Sequence, residues 1–434
     1  MPTRAGVMLD TLKTMWKVRE VRNAILFVLG MLAIFRFLAH IPVPGVDVAA
    51  LEQFFASSAI LGLLNVFSGG TMENFSIVAL GVAPFITASI IFQLLGMVIP
   101  AIEELQKEGE YGRRKINQYT RLLSIPLSIM QGFGLMTLVR QSNAAILPDL
   151  SIMQTVMLLT TVTAGTVFLM WLGELISEKN VGNGISLMIF AGIISILPQA
   201  VQQTALTFDV SRLVQLLVFV ILAIVTIIGV VALTEAQRNI PVSYARRVRG
   251  MRMVGGLNTH LPLRVNMAGV IPIIFAISII LFPPLLGQFF IHAKTAWIAR
   301  GAELMITIFQ NQVFYGIAYF SLVFIFTFFY TAVVFHPQQI AENLQKQGGF
   351  IPGIRPGRAT AEYLQFVTNR IIFFGAASLG LIAILPILTQ PLIPGAAQLT
   401  TIVGGTSLLI IVSVVIESVK QVGSQLTMRE YEGL

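Results

Sequence analysis

The chain has 434 residues, of which 56% are hydrophobic and 11% charged, with a formal net charge of +8. Soluble domains carry about 25% charged residues, so most of this chain cannot face water. No cysteine and only four histidines are present, which excludes disulfides and thiolate metal sites and argues against a histidine-built metal centre.

A helix needs about 20 mostly apolar residues to cross the hydrocarbon of a bilayer. Ten such runs follow one another, near 23–40, 75–99, 122–140, 152–176, 185–201, 213–233, 265–287, 312–335, 371–389 and 401–418. The first follows a polar, basic segment, 1–22, and leads into Ile41-Pro42-Val43-Pro44-Gly45 instead of a small-residue cleavage site. It is therefore read as a retained helix and not a removed signal peptide. The fifth is short and carries Pro198 near its end.

The positive charge fits either a nucleic-acid ligand or basic loops on one side of a bilayer, and its distribution decides between them. The N-terminus, 100–121, 177–184, 234–264, 336–370 and the C-terminus together hold 23 Lys and Arg, whereas the opposite side holds only Arg140, Arg212, Lys294 and Arg300. Basic loops stay cytoplasmic, so both termini are expected in the cytoplasm and the net charge reflects membrane topology. Two of the cytoplasmic loops, 234–264 and 336–370, are long and basic. Turn-forming runs at Arg249-Gly250, Gly255-Gly256 and Gly348–Gly357 suggest two stubby hairpins that offer arginine to a large partner.

A weak repeat links the two halves. Gly81-Val82-Ala83-Pro84-Phe85-Ile86-Thr87-Ala88 in the second span is answered at an offset of 188 by Gly269-Val270-Ile271-Pro272-Ile273-Ile274-Phe275-Ala276 in the seventh. These spans run in opposite directions, so spans 1–5 and 6–10 would be related by an axis in the membrane plane. Gly and Pro loosen such helices, and loosened segments often border a pathway at the repeat interface.

Charge is sparse inside the spans. The second, fifth, seventh, eighth and ninth have no Asp, Glu, Lys, Arg or His in their interiors, so the usual mark of an ion site or proton relay is missing. Arg36, toward the outer end of the first span, is the exception and is read as snorkelling or pairing structurally. No Asp lies within a span, no histidine sits mid-membrane to serve a serine nucleophile, and no Walker A sequence is present. The chain is therefore not expected to be an enzyme or to carry a cofactor, and whatever moves through it is driven from outside.

The landmarks of one family recur in order along essentially the whole chain. Gly81–Leu95, Trp171–Ile193, Thr259–Phe275, Phe350–Gly357 and Asn65–Gly70 resemble, respectively, the first signature, the second signature, the seventh-helix segment, the cytoplasmic loop tip and the plug of the SecY/Sec61-alpha family. Val82 and the sequence VGNG after Asn180 are mild departures. The resemblance implies an all-α integral membrane protein of ten transmembrane helices in two inverted halves, 23–201 and 202–418, with an hourglass pore and a tail at 419–434. It implies a protein-conducting channel for unfolded secretory polypeptides in the bacterial cytoplasmic membrane.

Position by position, the resemblance places Val82, Ile86, Ile189, Ile274 and Ile410 at the pore waist. It makes about 61–71 the plug, with Leu61, Leu64, Asn65, Val66, Phe67, Ser68, Gly69 and Gly70. It makes the second and seventh spans a lateral gate into lipid, with Thr87 and Phe282 facing and Gln93 and Asn266 as a polar pair. Such a pair between helices in lipid contributes about 0.6 kcal/mol, weak enough for an apolar signal helix to displace. An aliphatic waist suits a channel whose cargo presents every side chain, because fixed charges would trap some of them while aliphatic groups close and exclude water. Arg355 at the loop tip, with Arg246, Arg247, Arg249 and Arg252, is expected to dock a carboxylate of a motor protein or a phosphate of ribosomal RNA. The partners implied are the small subunits SecE and SecG, the SecA motor, the translating ribosome, SecDF, YidC, preproteins with their signal peptides, and the lipid bilayer. A secondary transporter with inverted repeats is the alternative, but it should show a charged midplane site.

Overall fold

The computed structural model describes residues 18–44, 46–56, 65, 68–142, 151–206, 213–244, 247–249, 252–254, 258–291, 293–389 and 405–432. The first half contains α1 (Arg19–Ala39), α2 (Val48–Ala56), α3 (Ala83–Val98), α4 (Pro100–Lys107), α5 (Glu110–Ser142), α6 (Ile152–Ser177) and α7 (Gly184–Leu206). The second half contains α8 (Leu213–Glu235), α9 (Ile271–Phe290), α10 (Ala296–Gln310), α11 (Gln312–Val334), α12 (Pro337–Lys346), α13 (Arg358–Thr389) and α14 (Gly405–Glu432). Between α8 and α9 lie β1 (Gln237–Tyr244), β2 (Arg247–Arg249), β3 (Arg252–Val254) and β4 (Asn258–Arg264), and β5 (Gly349–Phe350) follows α12.

Every apolar run read from the sequence has a helix over it. Among the described residues, seven helices are long and apolar enough to span a membrane, and α3 with α4 makes an eighth that bends by 104°. Two shorter apolar stretches, Gly184–Gln199 and Ile271–Pro284, fall within α7 and α9. Local chemistry explains several helix starts. Ser151 and Gln154 form a reciprocal capping box on α6. The Asn311 carboxamide oxygen accepts from the Val313 and Phe314 amides at the start of α11, and Asn183 does the same for Ile185 and Ser186 at α7.

The second and seventh spans begin later than hydropathy suggests, at Ala83 and Ile271 instead of 75 and 265. The cause is the repeat itself. Gly81 (φ 56°) and Gly269 (φ 64°) hold matching left-handed turns, and Pro84 and Pro272 then open the helices. Packing repeats as well. Within the first half α3 packs on α5, α5 on α6, α6 on α7, and α1 on α6 and α7. Within the second half α9 packs on α11, α11 on α13, α13 on α14, and α8 on α13 and α14. The two sets are the same network. The halves meet where α9 crosses α3 and α5 on one side and where α14 crosses α7 and α1 on the other.

The two basic loops differ from the hairpin pair expected. The first is a hairpin, β1 antiparallel to β4, with β2 and β3 paired at its tip. The second is a helix, α12, a turn and the start of α13, and its short strand β5 adds to β1 in the sheet order β4-β1-β5. Ile240, Val242, Leu263, Leu344, Ile351 and Leu364 close a small separate core beneath them. A single loop has too little apolar surface to bury, but two loops together make a packed unit.

Candidate pore, plug and gate

All five waist residues are buried, none more than 4% exposed, and all belong to one apolar cluster that spans both halves. Val82 caps α3, Ile86 lies one turn in, and its repeat equivalent Ile274 lies in the first turn of α9. Ile189 comes from α7 and Ile410 from α14. Two of the helix pairs that cross between halves, α3 with α9 and α7 with α14, thus supply the whole set, Val82 as the N-cap of α3.

Of the plug residues, Leu61, Leu64, Val66 and Phe67 lie outside the described residues. Asn65, Ser68, Gly69 and Gly70 are all buried. Ser68 stands against the turn before Val82: a Cβ on Gly81 would lie 2.9 Å from the Ser68 carbonyl oxygen. A Cβ on Gly192 of α7 would overlap the Gly69 backbone, so helix and segment touch main chain to main chain. Thr71 donates its hydroxyl hydrogen between two acceptors, the Ser68 and Ala79 carbonyls, each at 3.0 Å. Arg36 Nη1 donates to the Gly69 carbonyl at 2.7 Å. Arg36 therefore pairs with the main chain of the segment expected to be the plug.

At the gate, Ser68, Thr87, Gln131, Ser278 and Phe282 line one crevice between the plug segment, α3, α5 and α9. Thr87 and Phe282 thus face a common space. Gln93 and Asn266 are not joined. Gln93 Nε2 donates to Ser89 Oγ and Asn266 Nδ2 to the Gly269 carbonyl, leaving the amide oxygen of each without a protein partner. Each amide turns back on its own element because a neighbouring acceptor is within reach along its own chain. Gln131 of α5, which sequence reasoning missed, is buried and donates to Thr87 Oγ1 at 3.4 Å. A lone glutamine within the apolar run 122–140 was the available signal.

At the tip of the second basic loop, Arg355 is exposed on a turn whose base, Ile351, is buried in the small core. The Arg355 carbonyl accepts from Thr360 Oγ1 at 2.9 Å, and the Ile354 amide donates to the Ile351 carbonyl at 3.0 Å, so the turn is fixed from both sides. Arg247, Arg249 and Arg252 lie on the β2–β3 tip, with Arg249 opposite Arg252 in register, and Arg246 lies outside the described residues.

Comparison with known proteins gives the family and the fold. A protein translocase subunit SecY from Streptomyces scabiei is 43% identical over 447 aligned positions, covering 98% of this chain and 99% of the relative. Among solved structures, a protein-conducting channel superposes with a TM-score of 0.61 at 19% identity, covering 92% of this chain and 91% of the other. Sec61 in a canine ribosome–channel complex from the endoplasmic reticulum gives a TM-score of 0.57 at 18% identity, with the same coverage. The profile of the SecY family matches residues 76–419. With a family match over most of its length and a close full-length relative, this chain belongs to the SecY family.

Proposed function

We propose that the chain is the channel subunit of a bacterial protein-export machine. An unfolded secretory polypeptide passes between the two halves through the ring of Val82, Ile86, Ile189, Ile274 and Ile410, and apolar segments leave sideways between α3 and α9 into lipid. The observation that supports this reading is the burial of these five aliphatic side chains, from α3, α7, α9 and α14, in one apolar cluster that spans both halves. The buried segment Ser68–Thr71 lies beside the turn that leads into it. Aliphatic groups close around any sequence and exclude water and ions when the passage is empty. The full-length relative named as a translocase subunit supports the same reading, and no finding favours a secondary transporter.

In this reading the plug is the segment about 61–71, both termini are cytoplasmic, and the halves divide near residue 202. Force arrives through docking at the cytoplasmic unit. Arg355, held outward on its fixed turn, engages a carboxylate of the SecA motor or a phosphate of ribosomal RNA, and the arginines of the β2–β3 tip add attraction at longer range, within about 8 Å at physiological salt. SecE, SecG, SecDF and YidC complete the assembly. One structural neighbour is a Sec61 channel in a complex with a ribosome, which supports a ribosome among the partners. The test is reconstitution of the purified complex into vesicles with the motor and ATP. A secretory precursor should become protease-protected, and deletion of 65–70 should raise ion conductance while leaving that transport intact. Absence of protection in sealed, motor-loaded vesicles would overturn the assignment.

A further inference from the structure

We propose that Arg36 is a latch that holds the plug segment in its closed position, and that export requires this contact to open. The proposal rests on the plug reading above. Arg36 is the one ionisable residue well inside the first span, half-buried near the outer end of α1. A guanidinium cannot shed its proton, so in apolar surroundings it must find acceptors. The acceptor is the Gly69 main-chain carbonyl at 2.7 Å, 33 residues away. Main-chain contact matters here, because Arg36 fixes the path of the segment whatever side chains it carries.

The segment is tied a second time, through Asn65. Asn65 Nδ2 donates to Glu73 Oε2 at 2.6 Å, and the Glu73 amide donates back to Asn65 Oδ1 at 3.1 Å. The Asn65 carbonyl accepts from the Gly70 amide and from Ser68 Oγ, each at 2.8 Å. Glu73 is also the carboxylate whose charge reaches Arg36. Cation, carboxylate and both ends of the 65–70 segment therefore form one network. Phe35 completes the seat, with its ring tip 2.9 Å from where a Gly69 Cβ would stand, and Gly69 is left-handed (φ 84°), so a side chain there would strain the backbone and press on the ring. A charge-assisted hydrogen bond of this kind is strong while the site is dry and exchanges for water once the passage hydrates. That is the behaviour of a latch, as opposed to a permanent strut.

The test is leak conductance of the full-length chain, purified with its companion subunits, in planar bilayers. Arg36→Met keeps the length of the stem and removes the donor. It should raise leak about tenfold, the equivalent of ~1.4 kcal/mol in favour of the displaced segment. In a chain lacking residues 65–70 the same substitution should change nothing, because nothing is left to hold. If Arg36→Met leaks no more than the native chain while the deletion does leak, the latch is refuted and the plug reading survives. If neither leaks, the plug reading itself fails. A further rise from Arg36→Met on top of the deletion also refutes the latch, since the residue would then act elsewhere. Should Arg36→Met fail to accumulate, Asn65→Ala cuts the tie to Glu73 and should raise leak by itself, and a native leak there overturns the network.

Discussion

Gly81 and Gly269 offer a matched pair of perturbations, because the repeat gives them the same backbone and different neighbours. Each adopts a left-handed conformation, with φ 56° and 64°. A Cβ in that conformation costs roughly 1–2 kcal/mol in an L-residue, so Gly81→Ala and Gly269→Ala share this penalty. At Gly269 nothing lies within 4 Å of the added methyl, and the cost stops there. At Gly81 the methyl would stand 2.9 Å from the Ser68 carbonyl oxygen and 3.2 Å from its Cα. Overpacking of this kind costs roughly 1–3 kcal/mol more. The turn before α3 is fixed by the helix that follows, so the strain is relieved by moving Ser68 and the plug segment away. A bias of about 1–3 kcal/mol corresponds to a 5–150-fold shift in population. Gly81→Ala should therefore raise the ion leak of the reconstituted channel by a factor in that range, whereas Gly269→Ala should leave it near the native value with a comparable loss from backbone strain in thermal stability. The assay is single-channel recording in planar bilayers, paired with thermal unfolding of the detergent-solubilised complex. Equal leak from the two variants would refute the reasoning, because only the plug contact distinguishes them.

Two further outcomes follow from the gate and the docking tip. Cysteines at Thr87 and Phe282, in a chain with no native cysteine, should form a crosslink across the shared crevice and block export until reduced; full export with the crosslink formed would sink the lateral gate. Arg355→Lys should impair precursor translocation and Arg355→Glu should nearly abolish it, with expression and membrane insertion unchanged, because docking uses the planar guanidinium fork whereas topology uses only summed charge. Native translocation by Arg355→Glu would end the docking proposal.

The ten apolar runs and the Lys/Arg asymmetry were legible in the chain alone, because a bilayer imposes a length and a charge bias that need no knowledge of neighbours. The repeat was legible for a related reason. Gly81 with Pro84 and Gly269 with Pro272 encode the same turn-and-start locally, and the turn then delays each helix past the onset of hydropathy. What the chain could not announce were the partners. Nearly every face of these spans is apolar, so periodicity does not say which face meets which helix, and the choice falls to small residues and single hydrogen bonds. The approach of Gly192 to Gly69, the bond from Arg36 to the Gly69 carbonyl, and the pairing of Gln131 with Thr87 are of that kind. So is the joining of the two basic loops, where Ser243 and Tyr244 pair with Phe350 and Gly349 from beyond α11. Gln93 and Asn266 show the converse: each had the chemistry for a bond across the gate, and each found a nearer acceptor on its own element. Sequence fixes what each segment can bury or expose, but only the packed halves decide which main-chain groups come within reach of a buried arginine or a glycine face.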